Sequence, residues 1–309
     1  MSSLQHPALW KQGVLWGVVY LLVHMTLLTP LLVFTVWVAA VPAVVLFVKT
    51  NPHVFAVSIG IAMAAGMLLA GAGALEWLIF ATGILIPSVV MGAAYKKSQS
   101  AGKAIMAGIL TFLALFLFSI SVATGLGFNL NRAISETLRG GMGTLPPMLQ
   151  GVVTEDMMAE LVQVTTMMVP FYFIAASAAL AFATHGMSSL LCGFKGKEIP
   201  RLPPMRDWRV PRVFVWIYLI ALITDMFASG EQGTFLAAVT INLVPLLMAL
   251  FTVQGVSFLF FIAYAKRKAW LPWIGIVLLV MIPPPLFSAF SLMGVFDTAF
   301  PIRDRIRKS

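Results

Sequence analysis

Charged residues are scarce in this sequence. Asp, Glu, Lys and Arg make up only 10% of the 309 residues, whereas soluble domains usually carry about a quarter. Hydrophobic residues make up 60%, and the mean hydropathy is +0.97. These values exclude an ordinary soluble domain. With apolar runs long enough to cross a bilayer, they predict an all-α, polytopic integral membrane bundle.

Cysteine and histidine are also rare. Cys192 is the only cysteine, which excludes an internal disulfide and any metal site built from several cysteines. The four histidines show no HExxH pattern or other metal-ligand spacing, and they stand at His6, His24, His53 and His185. We therefore expect neither a bound metal nor a cofactor.

The sequence lacks the patterns that most enzymes carry. It has no Ser-His-Asp arrangement, no pair of carboxylates on one helix face within an apolar segment, and no glycine motif that would cradle a phosphate. We expect no catalytic residues and no enzyme activity. The net charge of +9 comes from short basic blocks between apolar runs, so no folded soluble module presents it to nucleic acid. The expected partner is the lipid bilayer.

The apolar runs predict about eight or nine transmembrane segments, because ~20 apolar residues suffice for a helical crossing. The clearest is 234–268, which contains Pro245 and ends on the basic block Lys266-Arg267-Lys268. Two alternatives remain open. Residues 13–48 cross either once or twice, and the triple proline at 283–285 either lies in a simple crossing or turns the last segment into a hairpin. The predicted segments are 13–29, 30–48, 53–74, 75–95, 104–125, 154–191, 213–228, 234–268 and 270–294, of which the sixth begins in the interface and enters the membrane near Pro170.

The loops predict the orientation of the chain. Residues 193–212 form the most basic loop, and residues 128–153 form the longest polar interruption. Residues 127–165 are expected to form an extracytoplasmic loop together with an interfacial helix. Since basic loops favour the cytoplasm, we expect a cytoplasmic N-terminus and a cytoplasmic loop at 193–212. Residues 1–309 are expected to form a single integral membrane domain.

Small residues recur every four positions in the first and third predicted helices. This spacing places them on one helix face, where they let neighbouring backbones approach closely. We interpret them as helix-packing residues, with an interface to a partner protein as the alternative. They are Gly13, Gly17, Ser58, Ala62, Gly66 and Ala70.

Four polar side chains within apolar segments are candidates for binding a small molecule. Polar and ionisable groups at membrane depth are costly and often functional. The hypothesis is that Asp225, Asn242, Gln254 and His24 line one polar cavity. The alternatives are that Asp225 caps an outer turn at Gly230, that the two amides bond the backbone of a neighbouring helix, and that His24 is a satisfied core residue.

Three stretches of the C-terminal half resemble the YybS-like family of uncharacterised bacterial membrane proteins. They are residues 202–211, residues 242–268, and residues 294–300 followed by Arg303, and they contribute Trp208, Pro211, Gly255, Asp297 and Arg303 as family-motif residues. The resemblance implies a bacterial cytoplasmic (inner) membrane protein, with Asp297 and Arg303 as an ion pair at the membrane surface.

The family is in turn distantly similar to the S-subunits of energy-coupling-factor transporters and to the rod-shape protein MreD. The first similarity implies an S-subunit-like core that binds a small molecule from outside and docks on a partner subunit through small residues of its first helix. Gly13 and Gly17 have the required spacing, although the usual alanine pair is absent. The second similarity implies a scaffold in a cell-envelope or division complex. The sequence favours a small-molecule-binding or transport-related membrane subunit, with the MreD-like scaffold as the alternative.

Overall fold

The computed structural model describes residues 5–144, 153–192, 199–228, 235–300 and 302–308, and no strand occurs in these ranges. The helices are α1 Gln5–Met25, α2 Leu32–Thr35, α3 Val41–Lys49, α4 Pro52–Ala70, α5 Ala74–Ser98, α6 Ala101–Gly125, α7 Leu130–Met142, α8 Glu155–Met167, α9 Val169–Cys192, α10 Val213–Ala228, α11 Phe235–Ala265, α12 Leu271–Met281, α13 Pro283–Ala299 and α14 Ile302–Lys308.

The predicted all-α membrane bundle is confirmed. Within the described ranges, five helical stretches are long and apolar enough to cross a bilayer, and α10 and α12 are shorter apolar helices. The five stretches are Pro7–Leu28, Pro52–Ser98, Ala101–Gly125, Val169–Cys192 and Phe235–Ala265.

Contacts within the chain divide it into two compact units. The first comprises Met1–Gly127 and Phe173–Leu202, and the second comprises Phe128–Tyr172 and Pro203–Ser309. The expected cytoplasmic loop at 193–212 contributes residues to both, and its positions 193–198 lie outside the described residues.

In the first unit, Pro52–Ser98 is a hairpin of two helices. Gly71 adopts φ +56°, a conformation that favours glycine, and it ends α4. Gly66 of α4 then lies directly against the indole ring of Trp77 in α5, so the two helices pack face to face. The predicted boundary between the segments 53–74 and 75–95 therefore falls within four residues of the observed turn.

The helices α1 and α4 run in the same direction. Near their N-terminal ends, a Cβ added to Gly13 would lie 2.6 Å from the Ser58 hydroxyl oxygen. Near their C-terminal ends, Gly73 faces the side chain of Leu28, with 3.3 Å between an added Cβ and the leucine methyl. Two parallel helices need a return segment between them. Residues 29–50 must therefore lead the chain back.

This return segment is a broken helix. Its first part contains hydrogen bonds between residues three apart, such as that from the Val38 N–H to the Thr35 carbonyl. Its second part is α3, where Val44 and Val45 are fully buried. At ~1.5 Å per residue in α-helix and ~2 Å in 3₁₀-helix, its length is on the order of 30–40 Å. That suffices for the ~30 Å hydrocarbon core. The path of the chain thus supports two crossings within 13–48.

In the second unit, α11 and α13 meet backbone to backbone. A Cβ on Gly255 would overlap the Phe290 carbonyl, and a Cβ on Gly294 would overlap the Phe251 carbonyl. Close approach of this kind is how small residues join helices in membranes. The contact brings the end of α13 beside the C-terminal half of α11.

The chain reverses between α12 and α13. Gly275 faces the ring of Phe290, with 3.1 Å between an added Cβ and the nearest ring atom. In one continuous helix these residues would be ~22 Å apart. The reversal at Ile282–Pro283 is therefore the hairpin alternative, and α12, at ~16 Å, is too short to cross alone.

Candidate functional site: a buried ion pair and its cavity

Asp297 and Arg303 form a buried ion pair. Asp297 lies near the end of α13 and Arg303 in the first turn of α14, and their side chains are 0% and 5% exposed. Arg303 Nε donates to both carboxylate oxygens at 2.9 and 3.0 Å, and Nη2 donates to Oδ2 at 2.6 Å. This bidentate geometry suits a guanidinium and a carboxylate.

The remaining donors of Arg303 reach beyond Asp297. Nη1 donates to the backbone carbonyl of Arg206 at 2.5 Å, and Nη2 also approaches the Ser257 hydroxyl at 3.1 Å. The guanidinium lies over the Phe261 ring, 5.2 Å from its centroid. A buried charge is tolerated only when it is paired and hydrogen-bonded, and Arg303 meets both conditions.

Two polar side chains of α11 complete the cluster. Gln254 Nε2 donates to Asp297 Oδ2 at 2.5 Å, while its Oε1 accepts from the Val210 N–H at 3.0 Å. The Ser257 hydroxyl lies 2.7 Å from the Met205 carbonyl and 3.0 Å from that of Trp208. Residues three apart share a helix face, so one turn of α11 supplies both groups.

The cluster fixes the segment that precedes α10. Carbonyls of Met205, Arg206 and Trp208 and the N–H of Val210 all bond to Gln254, Ser257 or Arg303. The Trp208 indole in turn donates to the Pro203 carbonyl at 2.9 Å. An irregular segment next to apolar helices needs such partners for its backbone groups. The three stretches that carry the family resemblance meet here.

A small cavity adjoins this cluster. Its volume is about 240 Å³, below the ~300–1,000 Å³ of sites for drug-sized ligands. Five of its lining residues are charged, three arginines against two aspartates. The lining comprises Arg209, Val210, Pro211, Arg212, Gln254, Asp297, Thr298, Phe300, Arg303 and Asp304. Since Arg303 is paired with Asp297, the remaining charges of the lining are those of Arg209, Arg212 and Asp304, which sum to a net positive charge.

Asn242 has a structural role. In a continuous helix the Phe171 N–H would bond to the Met167 carbonyl. At the break between α8 and α9, the amide of Asn242 bonds to both groups instead. Asn242 Oδ1 accepts from Phe171, and its Nδ2 donates to Met167, both at 2.8 Å. Pro170 disfavours a continuous helix at this point. Asn242 is thus the amide that bonds the backbone of a neighbouring helix.

Asn242 and Gln254 do not share one cavity. Twelve positions along α11 separate them by ~18 Å. The hydrogen bonds of Asn242 go to the α8–α9 break, and those of Gln254 go to Asp297 and the 208–210 backbone. The prediction that one cavity is lined by Asp225, Asn242, Gln254 and His24 therefore fails for the two amides, because each of them bonds a different set of groups.

His24 is a buried core residue of the first unit. Its ring stacks on Tyr20 at 3.8 Å, and Nδ1 lies 2.8 Å from the Tyr20 carbonyl. Nε2 is buried without a hydrogen-bond partner among the described residues. Asp225 is half-buried in the last turn of α10, and the turn at Gly230 that it was expected to cap lies outside the described residues.

The predicted small-residue positions pack helices within the chain. Gly13 and Gly17 are buried against Ser58, and Gly66 is buried against Trp77. Ala62 belongs to the core cluster around Tyr20, whereas Ala70 is half-buried. Gly13 and Gly17 are therefore engaged inside the chain, and they do not form the free docking face that the similarity to S-subunits implies.

Ser257, Arg209, Arg212 and Thr298 belong to the site but were not predicted as candidates. Of these, only Ser257 could have been found from the sequence, because its three-residue spacing from Gln254 places both side chains on one helix face. Among the described residues, no three His, Cys, Asp or Glu side chains could hold a metal ion together. The absence of a metal stays an expectation.

Comparison with known proteins places the chain in a family. The family described as "Predicted membrane protein (DUF2232)" matches residues 17–298. The chain belongs to this family. The matched range includes Gln254, Ser257 and Asp297, whereas Arg303 follows it.

One relative extends this result. The chain is 26% identical over 250 residues to "Uncharacterized protein YybS" of Bacillus subtilis (strain 168), covering 76% of this chain and 78% of that protein. The predicted YybS-like family is thus confirmed. No solved structure matches. The more distant similarity to S-subunits and MreD stays a prediction.

Proposed function

We propose that this multi-pass membrane protein is a non-enzymatic subunit that binds a small anionic molecule in the cavity beside Asp297 and Arg303. The observation that carries the proposal is the lining of that cavity. Arg209 and Arg212 stand at it, and its inner wall is made of the buried groups Gln254, Asp297 and Arg303.

The charges of the lining favour an anion. Asp297 is neutralised by Arg303, and Asp304 faces Arg209 at a looser 3.6 Å with both side chains more than half exposed. Exposed ion pairs of this kind contribute little to the stability of a protein, so an anionic ligand can compete with Asp304 for Arg209. Arginine is well suited to planar carboxylates and to phosphates. The volume restricts the ligand to a small carboxylate or phosphate ester.

The basic residues also support an orientation. Basic segments favour the cytoplasmic side, which would place the N-terminus and residues 199–212 in the cytoplasm of a bacterial inner membrane. The proposed cavity then faces the cytoplasm. This is the side opposite to the external ligand site that the similarity to S-subunits implies, so the proposal concerns ligand binding and leaves a transport step as an additional hypothesis.

The scaffold alternative rests on the distant similarity to MreD, on the small-residue positions and on the lack of a catalytic pattern in the sequence. Because Gly13, Gly17 and Gly66 pack inside the chain, these positions do not favour a scaffold over ligand binding.

Thermal unfolding of the detergent-purified protein tests the proposal. The probes are phosphate, acetate and citrate at constant ionic strength, with chloride as reference. A specific ligand at a hundredfold excess over its Kd stabilises the folded state by about 2.7 kcal/mol. We expect at least one anion to raise the Tm of the wild type by several degrees.

The variants identify the site. Arg209→Gln combined with Arg212→Gln should abolish the shift, whereas Lys97→Gln, an exposed cation at the end of α5, should retain it. No anion-specific shift, or an equal shift in the double variant, would contradict the proposal.

A further inference from the structure

A second and larger concavity lies at the C-terminal end of α11. Its volume is about 800 Å³, and it shares no lining residue with the cavity beside Asp297. One wall is the 204–206 segment, and the other is the end of α11 with the start of α12. The lining comprises Pro204, Met205, Arg206, Phe260, Ala263, Tyr264, Ala265, Arg267, Ala269, Pro272 and Trp273. We call it the interfacial groove.

The surrounding sequence places this groove at a membrane–water interface. The apolar helix α11 ends at Ala265 and is followed by Lys266, Arg267 and Lys268, and then by the exposed indoles of Trp270 and Trp273. Basic blocks and tryptophans next to an apolar helix mark the level of the lipid headgroups. One side of the groove therefore borders acyl chains and the other borders headgroups.

Arg206 is held in place at the headgroup end. Its guanidinium lies over the Tyr264 ring, 3.9 Å from the centroid, and its backbone carbonyl accepts the bond from Arg303. Its acidic neighbour Asp207 is 3.9 Å away, and both side chains are more than a third exposed. Arg206 lines the groove, and because stacking uses the face of the guanidinium, its N–H edge stays available to a ligand.

Arg267 occupies a position where glycine would be expected. Its φ of 54° lies in the left-handed region, and the Lys268 N–H bonds back to the Ala263 carbonyl at 2.8 Å. Arg267 thus stands just after the end of α11, at the position that usually carries glycine or asparagine. A non-glycine residue there is strained, and such an outlier justifies a functional hypothesis. The side chain kept at this strained position is a second cation lining the groove.

We propose that the interfacial groove binds one acidic phospholipid. The phosphate would lie between Arg206 and Arg267, and an acyl chain would follow Phe260 and Trp273. Basic pockets beside membrane helices recognise anionic headgroups in this way. The apolar wall distinguishes a lipid from a free phosphate, because phosphate alone would leave Phe260, Pro272 and Trp273 uncovered.

Lipid retention measured by native mass spectrometry tests the proposal. The delipidated full-length protein is mixed with phosphatidylglycerol or phosphatidylcholine of identical acyl chains, and free inorganic phosphate forms a third arm. We expect the wild type to retain one phosphatidylglycerol in preference to phosphatidylcholine. The loss of each arginine should weaken that preference on the order of fivefold.

Three variants separate binding from stability. Arg267→Gly removes the cation and also relieves the left-handed strain, so it should raise the Tm without lipid while lowering phosphatidylglycerol retention. Arg206→Gln should lose retention, and Arg206→Lys should recover part of it. Lys268→Gln, an adjacent exposed cation outside the groove, should behave as the wild type.

Three results would overturn the proposal. The first is equal retention of the two lipids by the wild type. The second is an equal loss of phosphatidylglycerol retention in Lys268→Gln and Arg267→Gly. The third is retention of inorganic phosphate that phosphatidylglycerol does not exceed.

Discussion

Asp297 and Arg303 bury opposite charges against each other across the break between α13 and α14. The two residues are six positions apart, and the guanidinium that neutralises the carboxylate also bonds the backbone of Arg206, 97 positions earlier in the chain. One ion pair thus joins the C-terminal helices to the basic segment that precedes α10.

Removal of one partner should destabilise the protein strongly. Asp297→Asn leaves the Arg303 charge buried and uncompensated, at a cost of about 3–5 kcal/mol. Replacement of both by apolar residues, Asp297→Leu with Arg303→Met, should cost much less than the sum of the single variants. Thermal unfolding in detergent measures these differences. Arg132→Gln, which breaks an exposed pair with Glu136, serves as the control and should leave the Tm unchanged. Additive losses in the double variant would show that the two charges are not coupled.

The contact between α11 and α13 should tolerate no added methyl group. Gly255→Ala and Gly294→Ala each place a Cβ on a backbone carbonyl that cannot move without shifting a helix. We expect a loss of at least 1–3 kcal/mol in each, the typical effect of overpacking. Gly60→Ala, in α4 with open space around its Cβ, is the control and should be neutral or stabilising, since alanine favours a helix by about 0.5–1 kcal/mol. Equal Tm values for all three variants would contradict the close approach of the backbones.

The Asn242 amide should stabilise the break between α8 and α9. Asn242→Leu leaves the Phe171 N–H and the Met167 carbonyl without these bonds. An unsatisfied buried group costs about 1–3 kcal/mol. Hydrogen exchange should therefore become faster at Phe171 than in the wild type, together with a lower Tm. Asn131→Ala, at an exposed residue bonded to Thr166, should not accelerate exchange at that amide. Unchanged protection of Phe171 in Asn242→Leu would exclude the role assigned to the amide.

The ion pair between α7 and α8 should be sensitive to pH. The hydrogen bond and the charge of Arg139 hold the pKa of Glu155 below its ordinary value. A lowered carboxyl pKa contributes stability above the ordinary pKa, and this contribution is lost as the pH falls through the lowered value. Titration of the labelled carboxyl by NMR should show the lowered pKa. It should rise in Arg139→Gln and stay in place in Arg132→Gln. An identical titration in the wild type and Arg139→Gln would refute the assignment.

Local patterns in the sequence predicted much of the fold. The four-residue spacing of Ser58, Ala62 and Gly66 places them on one face whatever the neighbour is, so their packing role could be inferred. The turns near Gly71 and Pro283 follow from the conformational limits of glycine and proline.

The composition of the candidate site could not be predicted, because it depends on which helices are neighbours. The spacing of residues along one helix does not contain that information. Asn242 bonds the α8–α9 break and Gln254 bonds Asp297, although both amides lie in one apolar helix and looked equivalent in sequence. The pairing of Asp297 with Arg303 was suggested by the family resemblance. Its link to the Arg206 backbone required the structure.

Native mass spectrometry of the protein purified from its native membrane in mild detergent tests ligand binding at Arg209 and Arg212 most directly. The wild type and Lys97→Gln should carry a bound species of small anionic mass that is released on activation. The double variant Arg209→Gln with Arg212→Gln should lack it. A wild-type spectrum without such a species, or the same species at equal occupancy in the double variant, would contradict the proposed function.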